Sequence, residues 1–194
     1  MAQKKNVKNK IVDAAWELFH EKGYDDTTIE DIVRLADISK GSFYYYFQSK
    51  DSLLDTLSEI LDEKYAQLEE KLSPEMNSFE KLMYLNYESH LFMEQKIDAA
   101  LIASLYSAQL ISKGERSLLD QNRTYYQMIM RIVEEGQQRN QILRDKGAYE
   151  ITKYYSMCER ALVTEWCLNR GNYSLAEYSR EMMPVMMEHF LPKE

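Results

Sequence analysis

The sequence predicts an all-α protein, and three observations carry that prediction. Only three prolines and six glycines interrupt the 194 residues. Residues that favour helices, such as Leu, Met, Ala, Glu, Lys and Gln, are abundant, whereas patterns typical of strands are nearly absent. Apolar residues recur at helical spacing in about nine segments. Because no run of about 18 apolar residues and no signal peptide occurs, we expect a cytoplasmic protein without a membrane partner.

The first two helices are predicted from apolar spacing and from the residues at their ends. The first covers about residues 6–22, and Gly23 ends it. Its apolar stripe consists of Val7, Ile11, Ala14, Ala15, Leu18 and Phe19. Thr27 is followed three residues later by Glu30. This spacing predicts a capping box at the start of a second helix, with Thr27 as the cap.

A short third helix follows a tight turn. Asp37 interrupts the apolar stripe of the second helix, and aspartate tolerates the left-handed backbone that such a turn needs. Ser39 is placed to cap a helix over 40–47. Two short helices joined by such a turn predict a helix-turn-helix. Ser49 then begins a long fourth helix over about 50–72, which connects a small head to the rest of the chain.

Five further helices are predicted beyond the break at Pro74. Their approximate ranges are 77–94, 97–113, 117–139, 148–170 and 174–190. Glycines stand between several of these segments, where helix ends favour them. Gly136 does not fit such a position, and Pro184 is expected to kink or shorten the last helix.

The third helix carries three tyrosines, a lysine, a glycine and serines, a set that core packing does not require. Phe43 and Phe47 lie four residues apart and are expected to anchor the helix to the first two. A short protruding helix fits the major groove of DNA, where hydroxyl groups and Lys40 can contact phosphates. Gly41 allows close approach of the backbone. Lys50 stands at the start of the fourth helix, where free amides also favour a phosphate.

The net charge of −8 argues against a nucleic-acid partner when it is taken alone. The distribution of charge along the chain removes this argument against a nucleic-acid partner. Residues 1–50 hold 8 Lys and Arg against 8 Asp and Glu, and the other 144 residues hold 16 against 24. The predicted head is therefore neutral, and the whole negative charge lies outside it.

From about Lys8 to Leu57 the sequence resembles the tetracycline-repressor (TetR) family of transcription regulators. The resemblance rests on an Ala-Ala-x-x-Leu-Phe run from Ala14, on Lys22-Gly-Tyr, on Thr27-Thr-Ile-x-x-Ile and on Ser39-Lys-Gly-Ser-Phe-Tyr-Tyr-Tyr-Phe. It departs at Asp37, where the family often has glycine. The candidate DNA-binding residues that follow from the motif and the resemblance are Thr27, Thr28, Ser39, Lys40, Gly41, Ser42, Tyr44, Tyr45, Tyr46 and Lys50. Of these, Ser42 and Tyr45 are expected to reach base edges.

Residues 148–190 carry more apolar surface than one helix pair can easily bury, which predicts an interface. The resemblance implies that the last two helices pair with those of a second subunit. The candidate interface residues are Tyr155, Leu162, Trp166, Met183 and Met187. A two-fold homodimer sets its recognition helices about 34–36 Å apart, so the double-stranded operator is expected to be nearly palindromic.

Helices five to seven are rich in tyrosine and methionine. The resemblance implies an effector pocket among these helices and helix eight, and such a lining suits a lipophilic or aromatic small molecule. These side-chain types are equally ordinary in a core. The candidate effector-binding residues, chosen for their polar tips, are Tyr87, His90, Tyr106, Tyr125 and Tyr126.

The sequence thus predicts a ligand-responsive repressor, with residues 1–50 binding DNA and residues 51–194 binding effector and partner subunit. An activator, or a helical interaction protein that has lost DNA binding, remains the alternative. An enzyme is not expected, because no His-Glu-x-x-His, Cys-x-x-Cys or glycine-rich phosphate loop occurs. Glu88 and His90 do not share a helix face, so neither a metal nor another cofactor is expected.

Overall fold

The computed structural model describes residues 2–111 and 116–192, with side chains from residue 7 onward. All regular structure in this part of the chain is helical, which confirms the predicted class. The α-helices are α1 (Ala2–Lys22), α2 (Ile29–Leu35), α3 (Lys40–Tyr46), α4 (Asp51–Glu69), α5 (Ser78–Lys96), α6 (Ala99–Ile111), α7 (Thr124–Gln138), α8 (Ala148–Leu168) and α9 (Leu175–Met187). Two 3-10 helices, Ser117–Leu119 and Glu188–Phe190, complete the set for the described ranges.

Several helix ends differ from the sequence prediction, among them those of α1, α4 and α7. Helix α1 begins earlier than residue 6, and α4 ends at Glu69, before residue 72. The segment predicted to run from residue 117 begins as a 3-10 turn and becomes α7 only at Thr124. Asp120 separates the two, because its carboxylate accepts the amide of Asn122 at 2.9 Å. Residues 112 and 113 of the predicted sixth helix lie outside the described residues.

Pro184 and Gly136, which fit no predicted helix end, both lie inside helices. Helix α9 continues through Pro184 to Met187 before the 3-10 turn begins, so proline does not end it at once. Gly136 lies inside α7 because that helix packs closely there: a Cβ at residue 136 would stand 2.7 Å from Ile142 Cδ1 and 2.8 Å from Ser78 Cβ. Only glycine fits without displacing these neighbours.

The chain forms two compact units. The head unit comprises Met1–Glu59 and Ala100–Ser117, and the body unit comprises Ile60–Ala99 and Leu118–Glu194. The boundary between them falls within α4, and α6 belongs to the head unit. The predicted functional division at residue 50 stays a prediction.

Within the head unit, α1, α2 and α3 surround a core in which Ile11, Ile32 and Phe43 are completely buried. Helix α6 joins this unit through Asp55 of α4, whose carboxylate accepts Gln109 Nε2 at 3.0 Å and Ser117 Oγ at 2.9 Å. The head of the structure is therefore more than the three helices of the predicted DNA-binding motif.

Within the body unit, α5 packs against α9 and α7, and α8 packs against α7 and α9. Asp62 in the second half of α4 accepts a bidentate pair of hydrogen bonds from Arg123, at 3.0 and 3.1 Å. Paired bonds of this kind fix geometry as well as charge, so they hold α4 to the start of α7. None of the described helices has the length and apolar character needed to cross a membrane.

Candidate DNA-binding surface and effector site

The start of α2 is set by Thr28. Its hydroxyl accepts the amide of Asp31 at 3.1 Å, and the Asp31 carboxylate accepts the amide of Thr28 at 3.1 Å. The capping box predicted for Thr27 and Glu30 is therefore wrong by one residue. Thr27 is only 1% exposed and its hydroxyl donates to the carbonyl of Gly23 at 2.7 Å. Its side chain holds the end of α1 and does not face solvent, whereas that of Thr28 does.

The turn between α2 and α3 has the geometry that its sequence requires. Asp37 adopts a left-handed backbone, with φ at 51°. Ser39 caps α3 as predicted, since its hydroxyl accepts the amide of Ser42 at 3.1 Å. Ser42 is half-buried, and Gly41 is exposed, with Ser39 Oγ 3.8 Å from the place that a Cβ would take. The aspartate thus takes the place where the family often has glycine without disturbing the cap.

Helix α3 divides into a buried and an exposed face. Phe43 is 0% and Phe47 5% exposed, as predicted for the anchors, whereas Tyr44 is 48% and Tyr45 64% exposed. Tyr46 is half-buried, and its ring meets that of Tyr45 edge-on with centroids 4.9 Å apart. Two large aromatic side chains with polar tips therefore stand in solvent on a helix of only seven residues. Such exposure is unusual unless the surface is used for binding.

The two lysines of the motif have different surroundings. The Lys40 ammonium is exposed and pairs with the exposed carboxylate of Glu30. Lys50 instead donates to the carbonyls of Tyr24 at 2.7 Å and Thr27 at 2.9 Å, and its nitrogen lies 4.2 Å from the centre of the Tyr24 ring. Lys50 therefore fixes the turn before α2. A direct phosphate contact by Lys50 requires it to give up some of these carbonyls.

One basic residue on this surface was not foreseen from the sequence. Arg34, in the last turn of α2, has a side chain that is 79% exposed and that pairs with Asp31 at 2.6 Å. The signal in the sequence that could have identified Arg34 is its position as a basic residue at the end of the helix before the turn. It adds a positive charge to the α2–α3 surface.

The segment with this geometry matches a family model. Residues 11–57 match the family described as bacterial regulatory proteins, tetR family. This segment is therefore similar to the DNA-binding part of the tetR family. This confirms the resemblance seen in the sequence, and the matched residues contain α2, α3 and their turn. A tetR-family helix-turn-helix is thus the local setting of the exposed tyrosines.

Two protein relatives extend the comparison. The biofilm operon icaADBC HTH-type negative transcriptional regulator IcaR of Staphylococcus aureus (strain Newman) is 51% identical over 49 residues, which cover 25% of this chain and 26% of that protein. The chain therefore matches about a quarter of the length of that relative. The HTH-type transcriptional regulator HbdR of Aromatoleum sp. (strain CIB) is 26% identical over 95% of this chain and 80% of its own length.

A solved structure supports the fold over nearly the whole chain. The FadR repressor of Thermus thermophilus, described as a TetR-family transcriptional repressor in complex with lauroyl-CoA, superposes with a TM-score of 0.75 and 19% identity, covering 96% of each chain. At this identity the likeness shows the fold alone. The fold of that repressor thus extends over the body unit as well as the head.

The predicted effector residues do not all fall in one unit. Tyr106 lies on α6 in the head unit, and the other four lie in the body unit. Tyr87 is half-buried, with its hydroxyl donating to Glu177 at 3.1 Å, and Tyr126 is buried in α7. Tyr106 thus lies in a different compact unit from the other four, and its role stays a prediction, because apolar spacing alone does not tell which neighbours a helix packs against.

His90 is a core residue of the body unit. It is 1% exposed, Nδ1 lies 2.6 Å from Ser179 Oγ, and Nε2 is buried without a hydrogen-bond partner. Burial lowers the pKa of His90 from 6.5 to about 3, because the charged form cannot be solvated. The imidazole is therefore neutral at physiological pH and joins α5 to α9.

Acid is expected to destabilise the protein through His90. Between pH 6.5 and 3 the unfolded chain binds a proton that the folded chain does not, so stability falls as pH decreases through this window. For this residue the loss between pH 7.5 and 5 is about 2 kcal/mol. Urea unfolding at both pH values measures it, and His90→Gln should remove that part of the pH dependence. An identical dependence in the variant would contradict this assignment.

A buried carboxylate was missed by the sequence analysis. Glu159 in α8 is 6% exposed, and its oxygens accept hydrogen bonds from Asn86 at 3.1 Å, from Tyr65 at 3.4 Å and from Tyr125 at a shorter distance. The donors come from α4, α5 and α7. A glutamate in a helix is ordinarily solvated, so only the packing identifies this one.

The predicted interface residues are buried within the protomer. Tyr155, for example, is 0% exposed and donates to the carbonyl of Leu82 at 2.9 Å, and Leu162, Trp166, Met183 and Met187 are at most 4% exposed. These five side chains pack inside the body unit and are not free for a second subunit. The large apolar side chains that α8 and α9 do expose are Tyr149, Tyr154, Met157, Leu168, Tyr178 and Val185.

Proposed function

We propose that this chain is a DNA-binding transcription regulator that acts as a homodimer on a nearly palindromic operator and is released by a small-molecule effector. The observation that carries the proposal is the pair of exposed tyrosines, Tyr44 and Tyr45, on a short helix held by Phe43 and Phe47. The tetR-family match over the same residues supports it. Repression is the proposed sense of regulation, since IcaR is a negative regulator and the similar FadR is a repressor.

In the proposed complex α3 enters the major groove. Ser42 and Tyr45 reach base edges, and the hydroxyls of Thr28, Tyr44 and Tyr46 contact phosphates. The backbone at Gly41 and the Ser39 hydroxyl lie close enough to join them. Lys40 exchanges its ion pair with Glu30 for a phosphate, which costs little because both partners are exposed. Lys50 acts mainly by fixing the turn that orients α2.

The dimer is proposed to form through the exposed faces of α8 and α9. Met157 on α8 is 50% exposed and Val185 on α9 63% exposed. Covering the exposed half or more of each side chain contributes about 1–2 kcal/mol, part of the value for complete burial. We therefore propose this exposed face as the interface in place of the five residues predicted from the sequence. Those five residues are buried and pack on the inner sides of α8 and α9. Cover by a second subunit also explains why so much apolar surface is retained.

The proposed effector site lies in the body unit, and α4 links it to the head. Tyr65 contacts Glu159 within the body unit, whereas Asp51 at the other end of α4 belongs to the head unit. Thirteen residues of α4 lie between them in the chain. An effector must bind the shape that releases DNA more tightly than the shape that binds it, by about 1.4 kcal/mol for each tenfold shift.

The decisive experiment measures operator binding by a Lys40→Ala, Tyr45→Ala double variant. We expect its affinity to fall about 30-fold, ~2 kcal/mol, because a base contact and a phosphate contact are lost together. Fluorescence anisotropy on a DNA fragment selected by the wild-type protein provides the measurement.

The matched control is Lys71→Ala with Tyr84→Ala, which removes the same two residue types from the segment after α4 and from α5, outside both α3 and the proposed dimer face. Its affinity for the fragment should equal that of the wild type. Undiminished binding by the Lys40 and Tyr45 variant would end the proposal that α3 reads DNA.

A further inference from the structure

The hydrogen-bond partners of Glu159 among the described residues are neutral. Among the described residues Glu159 takes part in no ion pair with Lys, Arg or His, and its contacts are with neutral groups. Burial accordingly raises the pKa of Glu159 above its ordinary value. Burying a carboxylate without a cation costs stability, and such groups are concentrated at functional sites.

The neutral donors around Glu159 are too few for an ionised carboxylate. A carboxylate accepts about four hydrogen bonds. Asn86 supplies one, at 3.1 Å. The single hydroxyl proton of Tyr65 is also within reach of Ser89 Oγ at 3.0 Å, and that of Tyr125 is within reach of Ser156 Oγ at 3.0 Å.

The two tyrosines therefore have a second acceptor that is already in place. Each phenol can turn its proton to its serine and leave Glu159 without burying an unpaired hydroxyl. The hydroxyl of Tyr155 also lies within hydrogen-bonding reach of Glu159, but its single proton is donated to the carbonyl of Leu82 at 2.9 Å. The arrangement leaves a carboxylate that can receive donors from another molecule at little cost to its neighbours.

The aromatic rings beside Glu159 favour a positively charged ligand. Tyr65 and Tyr125 are in contact, with centroids 4.8 Å apart and planes tilted by 58°. Aromatic rings attract cations, the more so when water is excluded. A protonated amine satisfies both features, because it brings the missing positive charge and up to three N–H donors.

We propose that Glu159 is the recognition carboxylate of the effector site, and that the effector is an organic cation with an amine-type nitrogen and an apolar body. The amine donates to Glu159, and the phenols of Tyr65 and Tyr125 turn to Ser89 and Ser156. Tyr65 belongs to α4, which continues into the head unit. When the hydroxyl of Tyr65 exchanges Glu159 for Ser89, the change therefore acts directly on this helix. This inference rests on the proposed function and specifies the chemistry of its effector.

An anionic head group at this point is disfavoured, since a carboxylate or phosphate beside Glu159 would place two like charges in a water-poor site. The proposal therefore separates three classes of ligand that share one apolar body. An amine should bind best, a neutral alcohol less well and a carboxylate least.

The test uses 4-phenylbutylamine, 4-phenylbutanol and 4-phenylbutyrate as probes in isothermal titration calorimetry with the full chain. We expect the amine to bind about tenfold more tightly than the alcohol, the difference that one charged hydrogen bond provides. In Glu159→Gln this preference should fall to about twofold or less, since the shape is kept and the charge is removed. Glu165→Gln, an exposed position on the same helix, is the control and should keep the preference.

The outcomes distinguish this inference from the proposed function. Equal or tighter binding of 4-phenylbutyrate, failure of the amine to bind at millimolar concentration, or an unchanged preference in Glu159→Gln would overturn the cation assignment. If the variant does not fold, the affinities of the wild-type protein for the three probes still test the cation assignment. Operator binding is measured separately without any probe, and its absence would overturn the proposed function instead.

Discussion

Replacing Met157 and Val185 together by aspartate is expected to convert the proposed dimer into monomers and to lower operator affinity by about 100-fold. Both side chains are at least half exposed in the protomer, so the charges do not disturb its core. In a dimer they would be buried against apolar partners, where an unpaired carboxylate is strongly unfavourable. Two linked heads bind two half-sites far better than one. Analytical ultracentrifugation and mobility shift on the full operator measure the two effects.

A buried residue of the same helix supplies the contrast. Tyr155→Phe removes the hydrogen bond to the Leu82 carbonyl and is expected to lower the free energy of unfolding by about 1 kcal/mol without changing the oligomeric state. The proposed interface would be contradicted by a dimer that survives the double aspartate substitution but dissociates in the Tyr155 variant. Such a result would favour the buried residues predicted from the sequence, such as Tyr155, as the interface.

Phe43→Ala is expected to cost about 4 kcal/mol of stability in the head unit, because it leaves a cavity beneath the recognition helix. Phe43 is 0% exposed and its ring lies 5.9 Å from that of Phe47, so both anchors of α3 are weakened together. DNA binding should be lost along with the order of α3. Urea denaturation followed by circular dichroism measures the change in the free energy of unfolding.

The exposed side of the same helix should behave in the opposite way. Tyr45→Ala is expected to change the free energy of unfolding by less than about 0.5 kcal/mol, as surface substitutions usually do, while it weakens operator binding. If Phe43→Ala were as stable as the wild type, α3 would not depend on its phenylalanine anchors, and the account of its exposed face would fail.

The recognition motif could be predicted from the sequence because its determinants are local. Ser39 caps α3, Asp37 supplies the left-handed turn, and the spacing of Phe43 and Phe47 fixes which face is buried. The cap of α2 was placed one residue early because the pattern is ambiguous. Thr27 precedes Glu30 by three residues and Thr28 precedes Asp31 by three, and the sequence offers no means of choosing between them.

The interface and effector residues depend on neighbours that are remote in the chain. Helix α8 has apolar residues on more than one face, and Tyr155 belongs to the inner face because α5 lies beside it. Glu159 became a candidate only when Tyr65, Asn86 and Tyr125 were found around it. Tyr106 lies on α6 in the head unit, whereas Glu159 lies in the body unit.

By itself, the sequence determined that the chain is helical, where most helices begin and end to within a few residues, and that residues 11–57 resemble a tetR-family helix-turn-helix. These features follow from spacing, caps and turns, which involve residues a few positions apart. The tertiary structure alone decided which of two threonines is a cap, which faces of α8 and α9 remain open, and that one glutamate is buried. Those outcomes depend on which helices exclude water from which side chains, and a local pattern does not contain that information.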